Sequence, residues 1–251
     1  MALAAEVALV TGGAKRIGRA IALRLADAGY AVAIHCNASR AEALALAGQI
    51  SAAGGRAYVV VADLVDPAAV DRIVPEAEAA LGPVSLLVNS ASSFLVDELT
   101  ALDVPTWNRQ FSINLRAPSV LAGAMANRLP PDRQGAIVNI VDQRVWKLTP
   151  QYYSYTLTKA ALLTATTTMA QALAPRIRVN AVGPGPTFAN PHDGEALLAA
   201  EAGGTPLGHK VEADDIAEAV LYLARAKAIT GQMIAVDAGQ HIAWRTPDIV
   251  D

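Results

Sequence analysis

The sequence is short of cysteine, of aromatic residues and of charge. Its 251 residues include one Cys, and only 5% are aromatic and 17% are charged. The single Cys36 excludes a disulfide framework and a cysteine-ligated zinc site, and it suits a reducing, cytoplasmic compartment. The chain has 20 Lys and Arg against 23 Asp and Glu, so it has no basic excess for nucleic acid or an anionic membrane. We therefore expect neither nucleic acid nor a membrane as a partner.

Long apolar runs are also missing. No segment reaches the roughly 18 uninterrupted apolar residues of a membrane span, and the segment Met1–Val7 lacks the basic region of a signal peptide. Yet 53% of the residues are hydrophobic, which excludes intrinsic disorder and is enough for a large core. Because no linker or repeat interrupts the chain, we expect one domain over residues 1–251.

Runs of β-branched residues alternate with Ala- and Leu-rich helical patterns along the chain. The runs predict seven strands, which are Val7–Thr11, Ala31–His35, Arg56–Ala62, Leu86–Asn89, Ala136–Val141, Arg178–Val182 and Met233–Val236. Helices are expected at Ile17–Ala28 and Arg40–Ala53, and two further helices are expected to begin at Pro67 and at Thr106. This alternation indicates an α/β fold in which a doubly wound parallel sheet carries helices on both faces. Residues 183–207 are expected to be irregular, with a substrate lid at 186–207.

A glycine-rich turn, Thr11–Gly18, connects the first strand to the first helix. Gly12 and Gly18 permit a tight turn and a close approach of the backbone to a ligand. Free N–H groups and the positive end of the helix then point at a pyrophosphate. The turn therefore predicts a dinucleotide site.

The residues after the second strand indicate which dinucleotide binds. An NAD site needs an acidic residue there to hold the ribose 2′-hydroxyl, but Cys36–Arg40 contains none. Lys15, Arg16 and Arg40 would instead hold a 2′-phosphate together with Ser39. NADP(H) is therefore the expected cofactor, although Arg40 alone is equally consistent with a solvated residue in a first helical turn.

Tyr155 and Lys159 form a Tyr-x-x-x-Lys motif, and this spacing places both side chains on one face of a helix. An unperturbed tyrosine, with a pKa of about 10, is a poor acid–base catalyst at neutral pH. An ammonium group one turn away is expected to lower the pKa of Tyr155 and to bind ribose hydroxyls.

Together, the glycine turn and this motif resemble the short-chain dehydrogenase/reductase superfamily, and the resemblance covers essentially the whole chain. The superfamily turn reads T-G-x-x-x-G-x-G; here Arg16 replaces the middle glycine, and pteridine reductases of the superfamily similarly carry a Lys-Arg pair. The resemblance implies a Rossmann fold, a homotetramer and a catalytic role for Asn114 in supporting a proton-relay water. Further cofactor contacts are expected at Ile17, His35, Asn37, Asp63, Leu64, Asn89, Ser90, Ala91, Ser92, Pro184, Gly185 and Thr187.

Asp142 stands where most superfamily members carry a serine that hydrogen-bonds the carbonyl oxygen being reduced. A carboxylate would repel the oxyanion that develops on a ketone, but it suits a C=N bond whose nitrogen must be protonated. Pteridine and dihydromonapterin reductases resemble this chain in having Asp ahead of Tyr-x-x-x-Lys. We therefore expect Asp142 and Tyr155 to deliver a proton, either from Asp142 directly or from a tyrosine that Asp142 orients.

The segment Asn89–Phe94 is similar to the Asn-Asn-Ala-Ser-Ser-Phe of pteridine reductases. This similarity implies that Phe94 stacks a pterin against the nicotinamide, with Ser92 beside both. Tyr152 and Tyr153 are further candidates for the pocket wall. The expected substrate contacts are Arg16, Ser92, Phe94, Asp142 and Tyr155. The expected reaction is NADPH-dependent reduction of a dihydropterin-like substrate of the pteridine, dihydromonapterin or dihydrofolate type.

Two other functions remain open from the sequence. In an NADPH-dependent carbonyl reductase, Asp142 would cap its loop and take no part in chemistry. In a sensor, the domain would bind NADPH without catalysis, although the combination of Asn114, Asp142, Tyr155 and Lys159 argues against that. No metal is expected, since His192 and His209 have no third ligand nearby in the sequence.

Overall fold

The structure, a computed structural model, describes residues 6–190 and 194–244 and contains all seven predicted strands. The strands are β1 Val7–Thr11, β2 Ala31–Cys36, β3 Ala57–Val61, β4 Val84–Asn89, β5 Gly135–Ile140, β6 Ile177–Pro184 and β7 Met233–Val236. They form one sheet in the order β3-β2-β1-β4-β5-β6-β7, and every neighbouring pair is parallel. The predicted doubly wound α/β fold is confirmed.

Helices cover both faces of this sheet. They are α1 Arg16–Asp27, α2 Arg40–Ala52, α3 Pro67–Leu81, α4 Val104–Phe111, α5 Ala117–Arg128, α6 Tyr153–Leu173, α7 Gly194–Gly203 and α8 Ala213–Arg225. Successive strand residues point to opposite faces, so Val7 and Leu9 join a core with α3 and α5. Ala8 and Val10 join a second core with α1 and α8. This two-sided burial explains why the strands have no polar face.

The start of one helix differs from the sequence expectation for a local reason. Helix α4 begins at Val104 and not at Thr106, because the carboxylate of Asp103 accepts the N–H of Thr106 at 2.8 Å. Asp66 caps α3 in the same way and there the predicted start, Pro67, is correct.

The expectation of an irregular stretch over residues 183–207 is wrong. Strand β6 extends to Pro184, and α7 occupies residues 194–203. The sequence of α7 consists of Ala, Leu and Glu between glycines, and these three are strong helix formers. Part of the predicted lid, residues 191–193 with His192, lies outside the described residues.

The strand order reverses between β1 and β4, which lie side by side although two strands separate them in the sequence. Ligands of open α/β sheets bind at such a switch point, beyond the carboxyl ends of the strands. No helix in the described part of the chain is long and apolar enough to cross a membrane.

Candidate active site

A cavity of about 740 Å³ lies at the carboxyl ends of the central strands. Most of the expected site residues line it. They are Gly12, Lys15, Arg16, Ile17, Gly18, His35, Asn37, Asp63, Leu64, Ser90, Ala91, Ser92, Phe94, Asp142, Tyr155, Lys159, Pro184, Gly185 and Thr187. The structure does not place Ser39, Arg40, Asn89 or Asn114 in the cavity wall.

The glycine turn at one end of the cavity has no room for side chains at two positions. A Cβ on Gly18 would lie 2.2 Å from the carbonyl oxygen of Gly12. Gly12 has φ +63°, and a Cβ there would lie 2.9 Å from Cα of Ala91. The turn therefore brings bare backbone to the cavity, as a pyrophosphate site requires.

Arg16, at the position of the superfamily's middle glycine, has φ +51°. Left-handed backbone of this kind is strained for any residue with a Cβ. Its guanidinium donates to the carbonyl oxygens of Phe188 and Ala189 at 3.3 and 3.2 Å and lies 5.0 Å from the centre of the Phe188 ring. Arg16 thus connects the glycine turn with the segment that follows β6.

Besides Arg16, three residues are expected at the 2′-phosphate, namely Lys15, Ser39 and Arg40, and they differ in their distance from the cavity. Lys15 lines the cavity and forms an ion pair with Glu42, which lies in the first turn of α2. Arg40 is the exposed first residue of α2, and Ser39 precedes it without capping the helix through its side chain. Of these three residues, Lys15 alone is in place beside the cavity.

The side chain of His35 is hydrogen-bonded to the backbone of the glycine turn. Its Nδ1 accepts the N–H of Gly12 at 3.3 Å, and its Nε2 lies 3.1 Å from the carbonyl oxygen of Ala62. These partners require a neutral ring with its proton on Nε2. Burial lowers the pKa of His35 from 6.5 to about 4, against smaller raising effects of the Ala62 carbonyl and of Asp63.

We expect His35 to make the fold sensitive to mild acid. Between pH 6.5 and 4 the unfolded chain binds a proton at this position that the native state excludes, so stability falls as the pH falls through that window. The shift corresponds to about 3 kcal/mol of unfolding free energy. Urea unfolding at a series of pH values measures it.

The variant His35→Gln keeps a donor and an acceptor but does not titrate in this range. Its unfolding free energy should vary less than that of the wild-type chain between pH 6.5 and 4, whatever its stability at neutral pH. Equal pH slopes in the two proteins would contradict the assignment.

Asp142, Tyr155 and Lys159 meet beyond the carboxyl end of β5. The hydroxyl of Tyr155 donates to Oδ2 of Asp142 at 2.8 Å, and Oδ1 accepts the backbone N–H of Arg144, also at 2.8 Å. The ammonium of Lys159 donates to the carbonyl oxygen of Ile140 at 2.8 Å and lies 5.6 Å from the centre of the Tyr155 ring. Both residues of the Tyr-x-x-x-Lys motif are buried on α6, as their spacing predicts.

The expected effect of Lys159 on Tyr155 is not what the structure shows. Burial and the adjacent Asp142 carboxylate raise the pKa of Tyr155 well above its ordinary value. Burial lowers the pKa of Lys159 to about 8, although Asp142 acts in the opposite direction. The correction follows from contact, because Asp142 touches the hydroxyl whereas Lys159 is bound to a backbone carbonyl. Tyr155 is therefore a protonated donor at neutral pH.

Asn114 and Asn89 lie behind the cavity wall. The side-chain oxygen of Asn114 accepts the N–H of Ser93 at 2.7 Å, and its Nδ2 donates to the carbonyl oxygen of Ser93 and to Oγ1 of Thr158 at 2.9 and 3.0 Å. Asn89 donates to the side chain of Asn139 at 2.8 Å. Asn114 thus joins the loop after β4 to α6, from a π-helical turn over residues 112–116.

Phe94 lines the cavity but already has an aromatic partner. Its ring is stacked on Tyr152, with centroids 4.3 Å apart, and meets Tyr155 edge-on at 4.5 Å. The guanidinium of Arg144 also lies over the Tyr152 ring, 5.3 Å from its centre, and Asn190 donates to the Tyr152 hydroxyl. A heterocycle that stacks on the same face of Phe94 must displace Tyr152.

Sequence reasoning missed several polar residues of the cavity. They are Arg109, Gln143, Arg144, Gln151, Asn190, Glu201 and Gln240. Gln143 and Arg144 follow Asp142 directly, so their neighbourhood was a usable signal. Arg109 and Glu201 come from α4 and α7, and no motif of the sequence assigns either helix to the cavity.

Comparison with known proteins decides the family. The family model described as enoyl-(acyl carrier protein) reductase matches residues 12–241. A short-chain type dehydrogenase/reductase of Picea abies is 32% identical over an alignment of 252 positions that covers 95% of this chain and 93% of that protein. The chain belongs to the short-chain dehydrogenase/reductase family. It is thus an oxidoreductase, and the Rossmann-type sheet is the family's fold.

Two further relatives of this short-chain reductase have specific names. A crystal structure of FolM alternative dihydrofolate reductase 1 from Brucella canis, complexed with NADP, is 49% identical, with a TM-score of 0.95 and 98% of each chain covered. The 3-oxoacyl-[acyl-carrier-protein] reductase FabG of Staphylococcus aureus is 32% identical over 240 residues, 94% of this chain and 98% of that protein. The FolM match confirms the resemblance to the pteridine reductase branch.

Proposed function

We propose that this short-chain reductase uses NADPH to reduce a C=N bond of a dihydropterin-like substrate. The observation that carries the proposal is the 2.8 Å hydrogen bond from the Tyr155 hydroxyl to the Asp142 carboxylate. A carboxylate fixed at this point opposes the negative charge that builds on a ketone oxygen during reduction. It does not oppose a ring whose N–H groups donate hydrogen bonds.

The glycine cradle fits a bound dinucleotide. Gly12 and Gly18 pack against backbone atoms with no room for a Cβ, and the N–H groups of the turn precede α1, whose positive end faces the cavity. Lys15 lines the cavity as a cation for a 2′-phosphate. Residues Cys36–Arg40 contain no carboxylate that would hold the ribose 2′-hydroxyl of NAD. NADPH, when bound, supplies the hydride. The NADP in the FolM crystal structure supports this choice.

Tyr155 supplies the proton in this proposal. When the carbon of the C=N bond accepts a hydride, the nitrogen gains an electron pair and becomes a strong base. The raised pKa of Tyr155 keeps its hydroxyl protonated until such a base is present. Asp142 holds the hydroxyl in place and also offers an acceptor to the N–H groups of the substrate.

The second candidate is reduction of a carbonyl compound. It is favoured by the FabG match, because that relative is named as a 3-oxoacyl reductase. In that case the carboxylate of Asp142, which accepts the N–H of Arg144, would serve to cap its loop.

A substrate panel separates the two. NADPH oxidation is followed with dihydrobiopterin, dihydromonapterin, dihydrofolate, simple ketones and a 3-oxoacyl thioester. We expect turnover of the dihydropterins or dihydrofolate, with kcat/KM at least about 100-fold above that of any ketone. This ratio corresponds to roughly 2.7 kcal/mol of transition-state free energy, which is the expected cost of placing a developing oxyanion beside the Asp142 carboxylate. Ketone or oxoacyl reduction without dihydropterin turnover would contradict the proposal.

The oligomeric state and the cellular location of the protein stay predictions. The homotetramer is testable by light scattering, with the small Ala and Thr side chains of α6 as the expected contact face. The cytoplasmic location rests on composition.

A further inference from the structure

Gln143 is a buried side chain whose amide has no hydrogen-bond partner among the described residues. It is 6% exposed and lines the cavity directly beside Asp142. Its Oε1 is fully buried and unpaired, and its Nε2 makes no hydrogen bond within residues 6–190 and 194–244.

Two other buried amides of the described chain are engaged at both ends. Gln110 binds the backbone of Leu95 through its oxygen and nitrogen and donates to Ser154. Asn180 accepts from Gln232 and donates to Ile229. Burying an amide without partners costs stability, and a structural side chain at this position would be apolar, as at Val141 and Val145 of the same segment. Oδ1 of Asn89 is likewise buried and unpaired, but Asn89 lies outside the cavity wall, whereas Gln143 lines the cavity. The unpaired amide of Gln143 therefore points to a ligand.

We propose that Gln143 is a substrate-binding residue that pairs with an N–H and C=O edge of the heterocycle. A primary amide presents one acceptor and two donors, which match a lactam or amino-pyrimidinone edge. Because its Oε1 is fully buried in the free protein, the amide rotates toward the cavity when the ligand binds. It then offers ring and exocyclic N–H groups a second acceptor beside the Asp142 carboxylate. This inference rests on the proposed function and specifies how the substrate ring is selected.

The carboxamide of the nicotinamide also presents N–H and C=O groups, so it is the alternative ligand of the Gln143 amide. A substitution of Gln143 distinguishes the two ligands, because loss of a contact to the substrate changes the KM of the substrate and loss of a contact to the nicotinamide changes the Kd of the cofactor. The test variant is Gln143→Met, which keeps the length of the side chain and removes both polar ends. Gln171→Met, at an exposed position of α6 outside the cavity wall, is the matched control.

We expect Gln143→Met to raise the KM for the dihydropterin about tenfold, with kcat within about threefold of wild type and the Kd of NADPH unchanged. The melting temperature of the free variant should equal or exceed that of wild type, because an unpaired buried polar group has been removed. Gln171→Met should change none of these quantities.

Three results would overturn the inference. Unchanged KM and unchanged Kd would show that the amide binds no ligand, and a weaker Kd with unchanged KM would assign it to the nicotinamide. A lower melting temperature in both Gln143→Met and Gln143→Leu, without a KM effect, would show a structural role. Absence of dihydropterin turnover in the wild-type enzyme is a different result, since it removes the proposed function itself.

Discussion

Replacing Tyr155 by Phe is expected to lower kcat for dihydropterin reduction by about 10²–10⁴-fold, the usual contribution of a general acid. The change removes the hydroxyl that donates to Asp142 and keeps the ring, which meets Phe94 edge-on at 4.5 Å. Packing around the cavity should therefore survive. Single-turnover oxidation of bound NADPH measures the chemical step without the contribution of product release.

The control for this experiment is Tyr153→Phe. Tyr153 begins the same helix but contacts Trp107, with ring centres 6.4 Å apart, and does not line the cavity. Its variant should retain the wild-type rate. A Tyr155→Phe enzyme within tenfold of wild type would show that the proton comes from another group, and Asp142 would be the first to examine.

The pH dependence of Asp142→Asn tests the same pair from the other side. The Asp142 carboxylate raises the pKa of Tyr155, so loss of its charge should lower that pKa. Any alkaline fall in rate that reports deprotonation of Tyr155 should then move to lower pH in the variant. A shift to higher pH would contradict the assigned direction.

The fold and much of the cavity wall could be predicted from local patterns. Each strand is a short apolar run, and each ends at the edge of the sheet where ligands bind, so the place of Gly12 follows from its position along the chain. The i,i+4 spacing of Tyr155 and Lys159 places both on one helical face. These two inferences need the period of a helix or a strand and no knowledge of distant contacts, whereas Asp142 and Tyr155 are assigned to the site by their resemblance to short-chain reductases.

The electrostatics of the site could not be predicted in the same way. The pKa of Tyr155 depends on which charged group touches its hydroxyl, and the spacing of Lys159 does not reveal that its ammonium binds the carbonyl of Ile140. Similarly, Arg16 reads as a phosphate ligand in the sequence, whereas its guanidinium binds carbonyls of residues 188 and 189. Long side chains have several partners within reach, and only the folded chain selects among them.

Replacing Gly18 by Ala is expected to weaken NADPH binding by about 100-fold, or roughly 2.7 kcal/mol. The added Cβ would lie 2.2 Å from the carbonyl oxygen of Gly12 and 2.8 Å from its carbonyl carbon. Both are backbone atoms of the phosphate turn, so no side chain can rotate away. The turn must open, and the N–H groups that would hold the pyrophosphate then lose their common direction.

The matched control is Gly48→Ala in α2, where nothing lies within 4 Å of the added Cβ. Alanine in a helix interior stabilises by about 0.5–1 kcal/mol relative to glycine, so this variant should bind NADPH normally and unfold at a slightly higher temperature. Titration calorimetry gives the Kd, and thermal unfolding without cofactor separates a local change in the turn from global destabilisation. If Gly18→Ala bound NADPH within threefold of wild type, the pyrophosphate would have to lie elsewhere. The close packing of Gly18 against Gly12 would then serve only to join α1 to the sheet.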